Sequence, residues 1–223
     1  MGSEFRIQLP ADEATIRKLR VGDTVYLSGM LCTLRDMGHR RAVDILAKGG
    51  QLPFDLSDAG LWHSGPIARR QGEQWRFVSA GPTTSSRFTS LGSELIRRLG
   101  IRVVVGKGTM GPDAVAAMRE VGSCFLNSTG GCAVLYARQV EEVVAVHWLD
   151  LGEPEAAWVV MVRDMGPLVV GIDSAGDSLF SQIQRLVVPR LEQIYQEAGI
   201  PRGHRFVYLP KRVAGSGQAP TDP

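Results

Sequence analysis

The sequence predicts a mixed α/β fold, with sheets flanked by helices. Three observations carry that prediction. Short β-branched and apolar runs recur from Thr24 to Ile172, separated by turns rich in Gly, Pro and Asp. Helical apolar spacing appears in separate stretches, over 91–99, 114–121 and 181–198. Strands outnumber long helices, and one compact domain is the simplest arrangement that buries both.

The elements follow in order. Residues 1–5 (M-G-S-E-F) read as an expression scar and are set apart from a domain over 6–210. Ile7 to Pro10 reads as a short strand. Ala11 to Leu19 reads as a helical turn or two, with acids early and bases late, as the helix dipole favours. Thr24 to Ser28 is β-branched and aromatic, hence a strand. Thr33, Arg35, Asp36 and His39 then fall where the chain passes into a helix over 42–47, and helix N-termini attract anions. Residues 49–58 form a loop. Trp75 to Ala80 alternates as a strand, and Val103 to Val105 is another. Pro112 suits a first helical position, and the helix over 114–121 stops at Gly122. Ser123 to Leu126 is a short strand. Cys132 to Ala137 reads as a buried helix, and Glu142 to Trp148 as a strand. Ala156 to Val162 and Leu168 to Ile172 read as two strands joined by a hairpin turn at D-M-G-P. The helix over 181–198 carries Pro189, which predicts a kink, and Gly199 is its stop. The Gly/Pro/Ala-rich tail over 211–223 reads as disordered.

Composition narrows the function. A chain of 223 residues that is 44% apolar can bury a substantial core. A net charge of +2, with no basic run interleaved with aromatics, gives no reason to expect nucleic acid. No apolar run reaches the roughly 20 residues of a membrane span, and no secretory signal is seen. Cys32, Cys124 and Cys132 cannot all pair with one another, and none forms C-x-x-C. They read as reduced thiols of a cytoplasmic protein.

The chain is organised around residues 81–108. Two polar loops flank an apolar helix. The first carries Thr83, Thr84 and Arg87; the second sets Lys107 between two glycines after a valine run. A loop–helix–strand–loop unit can bring both ends to one edge of a sheet, where a guanidinium, an ammonium and two hydroxyls could meet an anion. Each loop alone is equally an ordinary turn. The chain's lysines are only Lys18, Lys48, Lys107 and Lys211, which makes a lysine at a strand end less casual. A phosphate loop would need Ser or Thr directly after the lysine, where this chain has Gly108.

These segments together resemble a known family. They are G-D-T-V-Y-L-S-G-M-L-C-T-L-R-D-M-G-H-R-R at 22–41, H-S-G-P-I at 63–67, G-P-T-T-S-S-R at 81–87, V-V-G-K-G at 104–108, the glycine pair at 130–131, and L-D-L-G-E-P-E-A-A-W at 149–158. The chain is similar to the β subunit, or C-terminal domain, of the iron–sulfur hydro-lyases: class I fumarate hydratase and L(+)-tartrate dehydratase. The resemblance implies a swivelling β/β/α fold and reversible hydration of fumarate to (S)-malate, with L(+)-tartrate dehydration as the alternative. It implies that a 4Fe–4S cluster is bound by a partner α subunit and not by this chain. The two would form a hetero-oligomer, active only when assembled.

Position by position, the resemblance assigns carboxylate binding to Arg35, Arg87 and Lys107, and a supporting hydrogen bond to Thr84. It makes Thr83 the group that moves the C3 proton. His39, His63 and Asp36 lie inside matching segments as candidates that would orient those groups. Ser86 and Phe88 depart from the family pattern, where a small residue and a methionine are common. A binding-only or assembly subunit is the remaining alternative.

Overall fold

The computed structural model describes residues 2–201. Its described residues divide at 183/184 into one compact unit and a second, each described by itself. The boundary at residue 210 and the tail over 211–223 lie outside the described residues.

The first unit is a sheet with helices packed on it. Its strands are β1 (Glu4–Gln8), β2 (Thr24–Thr33), β3 (Gly60–Trp62), β4 (Ile67–Gln71), β5 (Gln74–Ser79), β6 (Val103–Gly106), β7 (Cys124–Asn127), β8 (Val140–His147) and β9 (Ala157–Ile172). Its helices are α1 (Glu13–Ile16), α2 (Asp36–Ala47), α3 (Thr89–Leu99), α4 (Pro112–Val121) and α5 (Ala133–Arg138). Strands β1, β2, β3, β6 and β7 are parallel neighbours in that order. Long β9 runs antiparallel to β7 at one end and to β2 along its length, which closes β2-β3-β6-β7-β9 into a circuit. Strand β8 pairs with the first half of β9, and β4–β5 is a separate hairpin.

Alternation along the parallel strands explains the core. Val103 and Val105 join Leu31, Trp62 and Leu126 in one buried cluster. Val104, between them, joins Leu61, Phe125, Leu95 and Ile96 in a second. A strand buried on both faces reads as a continuous apolar run, hence the three valines. Helices α3 and α4 end at Gly100 and Gly122, both left-handed, where a Cβ would be strained.

Glu4 and Phe5, within the segment read as a scar, lie in β1, paired with Thr24 and Val25. Two expectations are corrected. The hairpin at 164–167 does not form. The turn-like D-M-G-P stretch stays inside β9, because Met165 and Leu168 keep their pairing with Leu27 and Val25 on β2 across two register shifts. Gln139 fastens the irregular stretch from the side, donating to the Gly166 carbonyl and accepting from the Gly166 amide. Helix α5 forms but is not buried: Tyr136 and Ala137 face inward, while Val134 and Leu135 are exposed.

Helix α6 (Leu179–Glu197) contains Pro189. Its apolar positions Ile183, Leu186, Val187, Leu191 and Ile194 are all exposed. No helix among the described residues is long and apolar enough to cross a membrane.

Candidate functional site

Arg35, Asp36, His63 and Lys107 lie just past the ends of parallel strands, whereas Thr83, Thr84 and Arg87 lie on the segment that follows the separate hairpin strand β5 and is bonded to those loops. Arg35 and Asp36 follow β2; His63 and Ser64 follow β3; Lys107 follows β6; Asn127 and Ser128 follow β7. Loops beyond the carboxyl ends of parallel strands are where α/β sheets, open or closed, hold ligands.

Contacts tie these loops together. The Thr83 amide donates to the His63 carbonyl at 2.7 Å. Thr84 and Lys107 form a parallel backbone bridge, and the Ser85 amide donates to the Lys107 carbonyl at 2.9 Å. Arg87 Nη2 donates to Asp36 Oδ2 at 2.7 Å, joining the 83–88 loop to the start of α2. A Cβ on Gly65 would lie 2.4 Å from Arg35 Cδ, so only glycine lets β3's loop pass against that side chain. A Cβ on Gly130 would lie 3.3 Å from Lys107 Cδ, which puts the lysine stem beside the 130–131 turn. Thr129 of that turn is held through its amide by the Tyr136 hydroxyl at 2.8 Å.

The free groups are informative. Among the described residues, the Lys107 ammonium has no ion pair and the Thr83 hydroxyl has no hydrogen-bond partner. The two arginines differ from them, since each already holds a carboxylate. Arg87 holds Asp36. Arg35 Nε lies 3.4 Å from Glu155 Oε1, too poorly aligned for a hydrogen bond, so this buried nitrogen has none. Glu155 also accepts from the Met37 amide at 2.8 Å, which satisfies a free N–H at the start of α2.

Behind the loops lies an aromatic layer. His39 and His63 are fully buried, their rings 5.1 Å apart. Phe88 stacks on His39 at 4.5 Å and tilts against His63 at 4.7 Å. Phe88 therefore supplies a flat face for two imidazoles. The Arg35 carbonyl lies 2.8 Å from His39 Nδ1; a carbonyl only accepts, so Nδ1 carries the proton. Each Nε2 is buried without a partner. Burial holds His39 down to about 4. Burial, and then the neighbouring His39, hold His63 well below the ordinary imidazole range. Both rings are neutral near pH 7.

Sequence reasoning missed Ser85, Glu155 and Tyr136. Ser85 is buried, and its Oγ lies 2.8 Å from His63 Nδ1 and accepts from the Lys107 amide at 3.1 Å. The only available signal was its place inside the T-T-S-S run.

The described residues offer no grouping that would hold an iron–sulfur cluster. Among the described residues, no three His, Cys, Asp or Glu side chains stand close enough to hold a metal ion. Cys32 and Cys124 are buried; burial, helped by Asp173, pushes the Cys124 thiol up to about 12, away from the thiolate a metal needs.

The closed α/β sheet carries two arginines, a lysine and the free Thr83 hydroxyl on its connecting segments, residue types that suit a small anion. The chain belongs to the fumarase C-terminus family, whose model matches residues 2–183. It is 41% identical to the L(+)-tartrate dehydratase subunit beta of Escherichia coli K12 over 188 residues, 84% of this chain and 92% of that one. A chain of Methanocaldococcus jannaschii provisionally named for the same subunit is 39% identical over 180 residues, again 92% of its length. A provisionally named class I fumarate hydratase of Geobacillus stearothermophilus is 38% identical over 188 residues, 35% of that longer protein. The relatives' names are those of dehydratases and hydratases, so the family is one of hydro-lyases, and this chain corresponds to the β subunit.

Proposed function

We propose that this chain is the β subunit of an iron–sulfur hydro-lyase, and that it binds a four-carbon dicarboxylate and moves the proton at C3. One observation carries the reading. Thr83 and Lys107 present a free hydroxyl and a free ammonium on adjoining loops, with Arg35 just past the end of β2 and Arg87 tied to the start of α2 through Asp36.

The chemistry needs those types. A dianion is held by fixed cations, and guanidinium forks match carboxylates better than any other side chain. Arg87, Arg35 and Lys107 take the two carboxylates, and Thr84 adds a hydrogen bond. Thr83 Oγ1 faces C3 and takes its proton as hydroxide leaves the neighbouring carbon; in the reverse direction it returns the proton. An alkoxide is costly in water. The Lys107 ammonium offsets that cost by stabilising negative charge at Thr83 and on the carboxylate next to C3. The cluster belongs on the partner α subunit, so the assembled pair is the active enzyme, and no step here runs through it.

The reading takes fumarate and malate as the substrate pair. A second reading, L(+)-tartrate to oxaloacetate, is favoured by chain architecture: the tartrate-named β subunits match over 92% of their length. The two substrates differ by one hydroxyl, which a hydrogen-bonding site discriminates strongly.

The test is anaerobic mixing of this chain with a cluster-loaded α subunit, malate and tartrate being assayed in parallel. Turnover only in the mixture supports the reading, and the substrate turned over chooses between its two forms. A stable complex inactive on both would leave the binding-only subunit.

A further inference from the structure

We propose that Ser85 is a positioning residue, which, held by His63, fixes Thr83 and Lys107 relative to each other. This rests on the reading of Thr83 and Lys107 as working groups.

The Ser85 hydroxyl is a junction of three loops. Its oxygen accepts from the Lys107 amide at 3.1 Å, and its hydrogen points to the Thr83 carbonyl at 3.4 Å. His63 Nδ1, 2.8 Å away, is the third partner. One proton arrangement satisfies all three. His63 Nδ1–H and the Lys107 N–H donate to the two lone pairs of Ser85 Oγ, and the Ser85 O–H donates to Thr83. Backbone bonds reinforce the junction, since Thr83 donates to His63 and Ser85 bonds back to Lys107.

The surroundings are built for this contact. Ser85 and His63 have no solvent exposure, and Phe88 packs on the imidazole. A Cβ on Gly106 would lie 2.0 Å from Ser85 Oγ and 3.1 Å from His63 Nδ1, so glycine at the end of β6 leaves the space that the pair fills. Neither Ser85 nor His63 needs to touch substrate. Their effect passes through Thr83 and Lys107, and misplacing a reacting group by about 1 Å can cost on the order of 100-fold in rate.

The experiment uses the assembled enzyme with its cluster-bearing partner, on whichever substrate it turns over. Variants are Ser85→Ala, His63→Asn, His63→Leu and Thr83→Ala. Two quantities are read: kcat, and the isotope effect with substrate deuterated at C3. Ser85→Ala is expected to lower kcat about 100-fold and to raise the isotope effect, because proton transfer becomes the slow step. His63→Asn keeps an amide N–H at the Nδ1 position and is expected to retain most of kcat. His63→Leu removes the donor and is expected to match Ser85→Ala. A purely space-filling serine would change the yield of folded enzyme but not the isotope effect. Unchanged kcat and isotope effect in Ser85→Ala, with Thr83→Ala inactive, would overturn the proposal alone. Full turnover in Thr83→Ala would overturn the underlying reading and the proposal with it. Should Ser85→Ala fail to assemble, the His63 pair decides: equal kcat in Asn and Leu overturns the proposal.

Discussion

Arg87 Nη2 donates to Asp36 Oδ2 at 2.7 Å, so a guanidinium proposed for substrate already holds a carboxylate of its own chain. Both side chains are 47% exposed. A pair this open contributes at most about 1 kcal/mol. A substrate carboxylate can therefore displace Asp36 at small cost.

Asp36→Asn is expected to free Arg87 and lower KM for the dicarboxylate by up to about fivefold, with kcat little changed. It also removes the acidic residue from the first turn of α2, which costs about 0.3–1 kcal/mol of stability. Initial-rate kinetics on the assembled enzyme and a urea titration of the chain check the two halves.

Lys107 should separate activity from stability. It is half-buried, and its ammonium has no ion pair among the described residues. Lys107→Ala is expected to change unfolding free energy by no more than about 0.5 kcal/mol. The same change should lower kcat/KM by about 100-fold or more, because a fixed charge opposite developing negative charge is lost. Denaturant unfolding and steady-state kinetics on one preparation read both.

Gly65 sets where Arg35 lies. A Cβ there would stand 2.4 Å from Arg35 Cδ and 2.6 Å from the Pro154 carbonyl oxygen. Gly65→Ala is expected to push Arg35 aside and raise KM about tenfold, at an overpacking cost of about 1–3 kcal/mol. A double-mutant cycle with Arg35→Ala checks the cause: in that background Gly65→Ala should leave KM unchanged.

The neutral imidazoles predict a pH dependence of stability. The unfolded chain binds a proton at His39 below about 6.5, while the folded chain does not until about 4. His63 is shifted the same way. The unfolded state thus binds more protons in this window, and stability falls as pH drops from about 6.5 toward 4. Paired carboxylates such as Glu120 and Asp150, held low by Arg97 and Arg41, add their loss only at more acid pH. His39→Asn, which keeps an N–H donor at the Nδ1 position for the Arg35 carbonyl, is expected to flatten part of the slope in urea titrations between pH 5 and 7.

Much of this fold can be read from local chemistry. The valine run of β6 is legible because both its faces are buried, and Gly100 and Gly122 mark helix ends because they take left-handed backbone. The continuity of β9 is not legible. Asp164 to Pro167 has the composition of a turn, and only pairing with β2 carries the strand through it. The exposed side of α5 is hidden for a similar reason, since an apolar run does not say which of its residues find a neighbour. In the site, Arg35, Thr83, Arg87 and Lys107 are legible as residue types that suit an anion, placed at loop positions. The contacts that tune them are not. His63 meets Ser85, and Glu155 meets Arg35, only because the fold brings separate segments together.

The most direct measurement is exchange of the substrate's C3 hydrogen with D2O in the assembled enzyme, followed by NMR for the wild type and for Thr83→Ala. The account predicts exchange in the wild type and its loss in Thr83→Ala, with substrate still bound through Arg35, Arg87 and Lys107. Exchange at the wild-type rate in Thr83→Ala would contradict it and place the proton-moving group elsewhere.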